Sequence, residues 1–194
     1  MAKIRPNTEV LTRYEDYSNF LDIDKMVCKL VRVSQPKGNH GTSLYSAHPL
    51  LYSDVSFGNA TMTCEVRNGD SKDCSFQILT DAIKARVVMR YDTGGGTHRN
   101  DVPHIPLEEQ SVTTPHFHKY DSNGYFLAYK TELLNDPKQA EHLFDIDFAF
   151  PYFCQESKIF ANKGHDLPEI SVGEDGVLPF KEEDEFDPLE GINF

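Results

Sequence analysis

The chain has 194 residues, of which 39% are hydrophobic, and its formal net charge is −12. This length suits one domain of ordinary size, and 13 phenylalanines and 9 tyrosines can build a core, which excludes a wholly disordered protein. No run approaches the roughly 18 apolar residues of a membrane-spanning helix, and the N-terminus lacks the apolar segment of a secretion signal. We therefore expect a soluble, cytoplasmic protein that does not associate with a membrane.

The first third of the chain predicts a helix, a strand and a long loop. Apolar residues at helical spacing indicate a helix near the N-terminus, and the β-branched residues at about 26–33 indicate a strand. Residues 34–59 are rich in Ser, Gly, Asn and Pro, and we expect a long loop there.

The middle of the chain predicts an antiparallel meander of four or five strands. Apolar and polar residues alternate, and the sequence Asn68-Gly69-Asp70 is typical of a tight hairpin turn between two such segments. The predicted strands are 61–67, 74–80, 84–92, 114–121 and 125–131. An irregular loop from Thr93 to Thr113 precedes the fourth strand.

The segment after the meander predicts helices. Asn135-Asp136-Pro137 is a typical helix start, and a helix is expected to run to about Phe144. A second apolar stretch from Phe148 to Phe153 contains Pro151, which opens a short helix or kinks the first. The predicted fold class is α+β, an antiparallel four- to five-stranded meander covered on one face by N- and C-terminal helices.

The negative charge is concentrated at the C-terminal end. Residues 163–194 contain ten acidic residues and two lysines, a net charge of −8, which leaves −4 for the preceding 162 residues. Acidic residues with Gly and Pro and without helical periodicity predict low order. We therefore expect one α+β domain over 1–162 and a disordered acidic tail over 163–194.

Two segments carry residues with candidate chemistry. His98 and Arg99 follow three glycines, and His116, His118 and Tyr120 alternate along the fourth predicted strand. A strand has a side-chain period of two, so His116, His118 and Tyr120 share one face. The loop that carries His98 and Arg99 joins the preceding strand to this one, and we expect all five residues to converge.

Three roles are open for this cluster. In a metal-free ribonuclease, one histidine takes the 2′-OH proton, a second protonates the leaving oxygen, and an arginine stabilises the phosphate. His116, His118, Arg99 and Tyr120 would supply these catalytic groups. Alternatively, the histidines bind a metal, or they only donate hydrogen bonds to the loop backbone.

Two cysteines suggest a zinc site. A hairpin centred on Gly69 would place Cys64 directly opposite Cys74. Zinc takes His and Cys ligands tetrahedrally, so this pair with His116 and His118 would complete a site if the strands come together. Zinc is therefore the candidate cofactor, although no motif in the sequence identifies a cofactor.

The run RVVMRYD…THRN…TPHFHKYD…GYFLAYKTELL…DP resembles an uncharacterised bacterial domain family associated with mobile elements. The shared core is a His-Arg-Asn loop followed by Pro-His-x-His-x-Tyr, and it covers roughly residues 60–155. Thr97 stands where the family more often has proline, and the loop before His116 is longer. The family has no established activity. In size and charge, the chain is also similar to phage-encoded inhibitor proteins.

Two classes of function follow. The acidic charge and the lack of a Lys/Arg-rich stripe disfavour direct binding to duplex DNA and favour a basic protein partner. We therefore expect an acidic protein-binding module of phage or mobile-element origin. It would inhibit a basic nucleic-acid-handling protein, for example a bacterial defence nuclease. The alternative is an enzyme, a small toxin-type ribonuclease that uses the histidines.

Overall fold

The computed structural model describes residues 4–38, 40–54 and 56–173. The helices in these ranges are α1 (Thr8–Thr12), α2 (Tyr14–Asp22), α3 (Glu132–Asn135), α4 (Pro137–His142) and α5 (Ile146–Glu156). The strands are β1 (Lys25–Met26), β2 (Leu30–Val33), β3 (Gln35–Lys37), β4 (His40–Pro49), β5 (Ala60–Val66), β6 (Cys74–Thr80), β7 (Val87–Asp92), β8 (His98–Arg99), β9 (Ser111–Val112), β10 (His116–Tyr120), β11 (Phe126–Tyr129), β12 (Ile159–Phe160) and β13 (Glu169–Val172). None of the helices in the described ranges is long and apolar enough to cross a bilayer.

The main sheet is an antiparallel meander of seven strands in the order β11-β10-β7-β6-β5-β4-β3. Neighbouring strands in this sheet follow one another along the chain, except that the short β8–β9 pair lies between β7 and β10. The predicted α+β class is confirmed, and the predicted strands of the middle segment correspond to β5, β6, β7, β10 and β11.

The sheet is larger than predicted because residues 34–59 do not form a long loop. Strand β4 pairs with β5 from Leu44↔Val66 to Pro49↔Thr61, and β3 pairs with the other edge of β4. The Ser- and Gly-rich composition of this segment indicated a loop, but the hydrogen bonds available from the edge of β5 outweigh that local preference.

The hairpin between β5 and β6 has a different register from the one predicted. Val66 lies opposite Cys74, and Cys64 lies opposite Phe76. The connection is longer than a tight turn, because the N–H of Arg67 donates to the carbonyl of Asp73. Its centre is Asp70 and not Gly69, so Cys64 and Cys74 are not a cross-strand pair.

The two faces of the sheet differ in chemistry. Phe76, Tyr91 and Phe117 are aligned across β6, β7 and β10 and face helix α5. The ring of Phe76 lies 5.5 Å from that of Phe150, and the ring of Phe117 lies 6.5 Å from that of Phe153. Residues one position away along the same strands project to the opposite face, which carries polar and charged side chains. The candidate site lies on this polar face.

The chain beyond residue 162 is partly ordered, which differs from the expected tail of low order. Strand β13 pairs in parallel with β2, from Glu169↔Leu30 to Val172↔Val33. This pairing is between residues distant in the sequence, and the local composition of the segment does not indicate it. The rest of the predicted tail, residues 174–194, lies outside the described residues.

Tyr17 of α2 completes the ladder between β7 and β10 where these strands separate. The last pair in the ladder is Lys119↔Met89. Beyond it, the Tyr17 hydroxyl donates to the carbonyl of Val88 at 2.9 Å and accepts from the N–H of Tyr120 at 2.9 Å. A side chain from the N-terminal helix therefore satisfies two buried backbone groups that the strands themselves leave unpaired.

We expect Tyr17→Phe to lower the free energy of unfolding by about 2–4 kcal/mol, because it leaves a buried carbonyl and a buried N–H without a partner. Chemical denaturation monitored by circular dichroism measures this change. Tyr14→Phe is the matched control, since Tyr14 lies on the same helix and is only half-buried. Equal stability of the two variants would contradict the bridging role of Tyr17.

Candidate metal-binding site

Three histidines meet on the polar face of the sheet. His98 lies on β8, and His116 and His118 lie on β10. The rings of His98 and His118 are 4.7 Å apart, as are those of His116 and His118, and the Nε2 atoms of His116 and His118 approach to 2.8 Å. One ring nitrogen from each histidine lies within 4.8 Å of the other two. We call these three residues the histidine cluster.

The sheet register positions two members of the histidine cluster. His116 and His118 are two residues apart and project from the same face of β10. The ladder with β7 places His116 opposite Asp92 and His118 opposite Arg90. The aspartate and the arginine are therefore the cross-strand neighbours of the two histidines.

Asn100 holds the loop that carries His98. Its Nδ2 donates to the carbonyl of Ala128 at 2.7 Å, and its Oδ1 accepts from the N–H of Ala128 at 2.9 Å. The side-chain amide thus takes the place of a neighbouring strand at this position of the edge strand β11. The backbone N–H of Asn100 also donates to the carbonyl of Gln110, next to the β8–β9 pair. These bonds fix the backbone two residues after His98.

Two members of the histidine cluster are buried, His98 is half-buried, and the cluster is not fully hydrogen-bonded. His116 is 3% exposed and His118 is 5% exposed. Among the described residues, the Nδ1 atoms of His116 and His118 and the Nε2 atom of His98 have no hydrogen-bond partner. Buried polar atoms normally have a partner, so these nitrogens call for a bound water or ion.

Burial also keeps the imidazoles neutral. It is the main cause that lowers the pKa of His98 and of His116, and the nearby Asp92 carboxylate only partly opposes it. Burial, together with the neighbouring histidines and Arg90, lowers the pKa of His118 to about 2. All three histidines are therefore uncharged at neutral pH, and the neutral imidazole is the form that binds metals.

Asp92 links the histidine cluster to two arginines. Its Oδ2 lies 2.6 Å from Nε of Arg90 and 3.6 Å from Nε2 of His118. Its Oδ1 lies 3.8 Å from Arg67, which also pairs with Asp73 at 3.2 Å. The Asp92 carboxylate is buried, and the two guanidinium groups compensate its charge.

A pocket of about 350 Å³ opens beside the histidine cluster. Its walls include Arg67, Arg90, Asp92 and the segment Gly94–Thr97. A Cβ atom at Gly94 would lie 2.0 Å from Oδ1 of Asp73, so this position requires glycine for close packing. The pocket therefore combines neutral nitrogens with charged side chains in one concavity.

Two residues predicted for the cluster lie elsewhere. Arg99 is exposed, and its Nε donates to Oε1 of Gln110, because neighbouring residues of a strand point in opposite directions. Tyr120 shares the face of His118, but its ring packs on Phe126 and on Tyr17, and its hydroxyl accepts from Asn7. The predicted convergence therefore occurs for the histidines and not for Arg99 or Tyr120.

The predicted site with two cysteines and two histidines is not formed. Cys64 aligns with Phe76 and Tyr91 on the face of the sheet that packs against α5. His116 and His118 project from the other face. Burial raises the pKa of the Cys74 thiol to about 12 and also raises that of Cys64, so both cysteines are neutral core residues.

Sequence analysis did not identify Arg90, Asp92 and Arg67 as members of the site. A signal for the first two was present, since Arg90 and Asp92 alternate along a predicted strand that precedes the histidine strand. Pairing these two strands would have placed both residues next to the histidines. Arg67 lies at the end of β5 and reaches the site only across β6, which the local sequence does not indicate.

Comparisons with protein-family models, with curated proteins and with solved structures found no match. The resemblance to a mobile-element family stays an interpretation of the motifs.

Asn100→Ala tests how the loop is held. We expect it to lower the free energy of unfolding by about 2–4 kcal/mol, because the N–H and the carbonyl of Ala128 both lose their partner. Asn135→Ala, at an exposed position at the end of α3, is the matched control and should change stability by less than about 0.5 kcal/mol. Denaturant titration measures both. A stable Asn100→Ala variant would show that the loop is held by other contacts.

Proposed function

We propose that this protein binds a divalent transition metal ion, with zinc as the first candidate, through His98, His116 and His118. The observation that supports this proposal is the approach of one nitrogen from each imidazole within 4.8 Å of the others. Nitrogen ligands of one tetrahedral zinc ion lie about 3.3 Å apart, since each bond is about 2.0–2.1 Å long. This spacing lies between the 2.8 Å and the 4.8 Å of the histidine cluster, so small ring rotations would suffice.

The donor set favours an ion with open coordination positions. Imidazole is a good ligand for zinc, copper, iron and nickel. Three protein nitrogens leave at least one position for water or a ligand, as in catalytic rather than structural zinc sites. Oδ2 of Asp92 lies 3.6 Å from Nε2 of His118 and would lie beside an ion bound to that nitrogen.

The ribonuclease alternative receives less support from the geometry. A metal-free mechanism needs one histidine that is protonated near neutral pH to act as the general acid. Burial lowers the pKa of all three histidines, and the predicted Arg99 and Tyr120 lie outside the cluster.

Binding to a basic protein remains a second proposal. It is supported by the net charge of −12 and by the concentration of a net −8 in residues 163–194. A complex of this kind would weaken steeply as ionic strength rises, because salt screens exposed charges. A metal site on the polar face of the sheet is compatible with it.

We expect the chelator-treated chain to take up close to one equivalent of zinc, measured by elemental analysis after dialysis. Free zinc at a hundred times its dissociation constant should raise the free energy of unfolding by about 2.7 kcal/mol. Losing a residue that only hydrogen-bonds to a metal ligand weakens metal binding by about tenfold to a hundredfold. His98→Ala removes a ligand itself and should weaken zinc binding by more than about a hundredfold.

His142→Ala is the matched control, since His142 is exposed at the end of α4. It should bind zinc like the unaltered chain. Uptake of less than a tenth of an equivalent by the unaltered chain, or equal uptake by His98→Ala, would overturn the proposed metal site.

A further inference from the structure

We infer that the pocket beside the histidine cluster takes a small oxyanion, a phosphate or carboxylate group, which Arg90 holds at the open position of the bound metal. This inference rests on the proposed metal site and adds the chemical class of its ligand. The evidence consists of the orientation of Arg90, the charge of the metal-loaded pocket and the size and shape of the opening.

Arg90 has hydrogen-bonding capacity left over. Its Nε is buried and has no hydrogen-bond partner among the described residues, and it forms an ion pair with Oδ2 of Asp92 at 2.6 Å. The side chain as a whole is 34% exposed, and no hydrogen bond to its Nη atoms occurs within the described residues. A guanidinium that pairs with a carboxylate through Nε and has unpaired Nη donors is suited to bind an oxyanion. Arg67, in contrast, is shared among three carboxylates.

A bound metal would make the pocket positive in a chain that is acidic overall. Arg67, Arg90 and Asp92 line the walls, and Glu65 and Asp73 pair with Arg67, so these five side chains have a net charge of −1. A divalent ion bound by the histidines would raise this to +1. A metal ion is often the largest charge in its site and determines which ligands approach it. The metal-loaded pocket would therefore attract anions, although the net charge of the chain is −12.

The dimensions of the pocket indicate a small ligand. A volume of about 350 Å³ is at the lower end of the range of ligand pockets, about 300–1,000 Å³. Gly95 and Gly96 lie at its wall, and a Cβ atom added at either would meet nothing within 4 Å. Both glycines are exposed, so this wall of the pocket borders solvent.

Cobalt-substituted full-length protein tests this inference, because the visible spectrum of Co²⁺ reports its ligands. We expect Co²⁺ to bind with one equivalent and the spectrum to change saturably when inorganic phosphate is added. Acetate in a parallel titration distinguishes a carboxylate from a phosphate, and the tighter of the two identifies the ligand class. Chloride controls for ionic strength.

Arg90→Gln should weaken the anion tenfold to a hundredfold, the usual effect of losing a charge-assisted hydrogen bond, without changing cobalt content. Arg90→Lys keeps the charge and should show a smaller loss, which covers the case in which Arg90→Gln does not fold. Arg99→Gln is the matched control, since Arg99 lies next to His98 in the chain but outside the pocket.

The outcomes separate the two proposals. If Co²⁺ does not bind, the metal site and the anion site both fail. If Co²⁺ binds and neither phosphate nor acetate changes its spectrum, the anion site alone is overturned. If the anion binds equally well to Arg90→Gln and to Arg99→Gln, the role of Arg90 is overturned.

Discussion

The register between strands β7 and β10 is the constraint on which the rest of the structure depends. It pairs Tyr91 with Phe117 on the face covered by α5, and in the same step it places His118 opposite Arg90 on the other face. A slip of β10 by one residue would turn His118 toward the helix and would expose the ring of Phe117 on the polar side. The aromatic core therefore fixes the geometry of the candidate site, although neither Tyr91 nor Phe117 lines the pocket.

Buried polar atoms without hydrogen-bond partners on the polar face of the sheet lower the stability of the fold. His116, His118 and Asp92 are buried, and each has a polar atom without a hydrogen-bond partner among the described residues. Such atoms destabilise a fold by removing the group from water without replacement. A cation that binds only the folded chain would stabilise it, so metal binding and stability would be coupled in this protein.

Two side chains complete backbone hydrogen bonding where strands end, and neither could be predicted from its own sequence segment. Tyr17 bridges β7 and β10, and Asn100 takes the place of a strand beside Ala128. Tyr17 is separated from Tyr120 by 103 residues in the chain. The pattern of a helix indicates that a tyrosine lies on its inner face, but not which unpaired backbone group its hydroxyl will meet.

The sequence alone determined the central strands, the C-terminal helices and the shared face of His116 and His118, because alternation and helix capping are carried by neighbouring residues. Only the tertiary structure decided that β3 and β4 join the sheet, that Cys64 lies on the opposite face from the histidines and that Arg90 replaces Arg99 near the site. These outcomes depend on register and on pairing between distant segments. The hydrogen bonds and packing that select them form between residues that no local pattern relates.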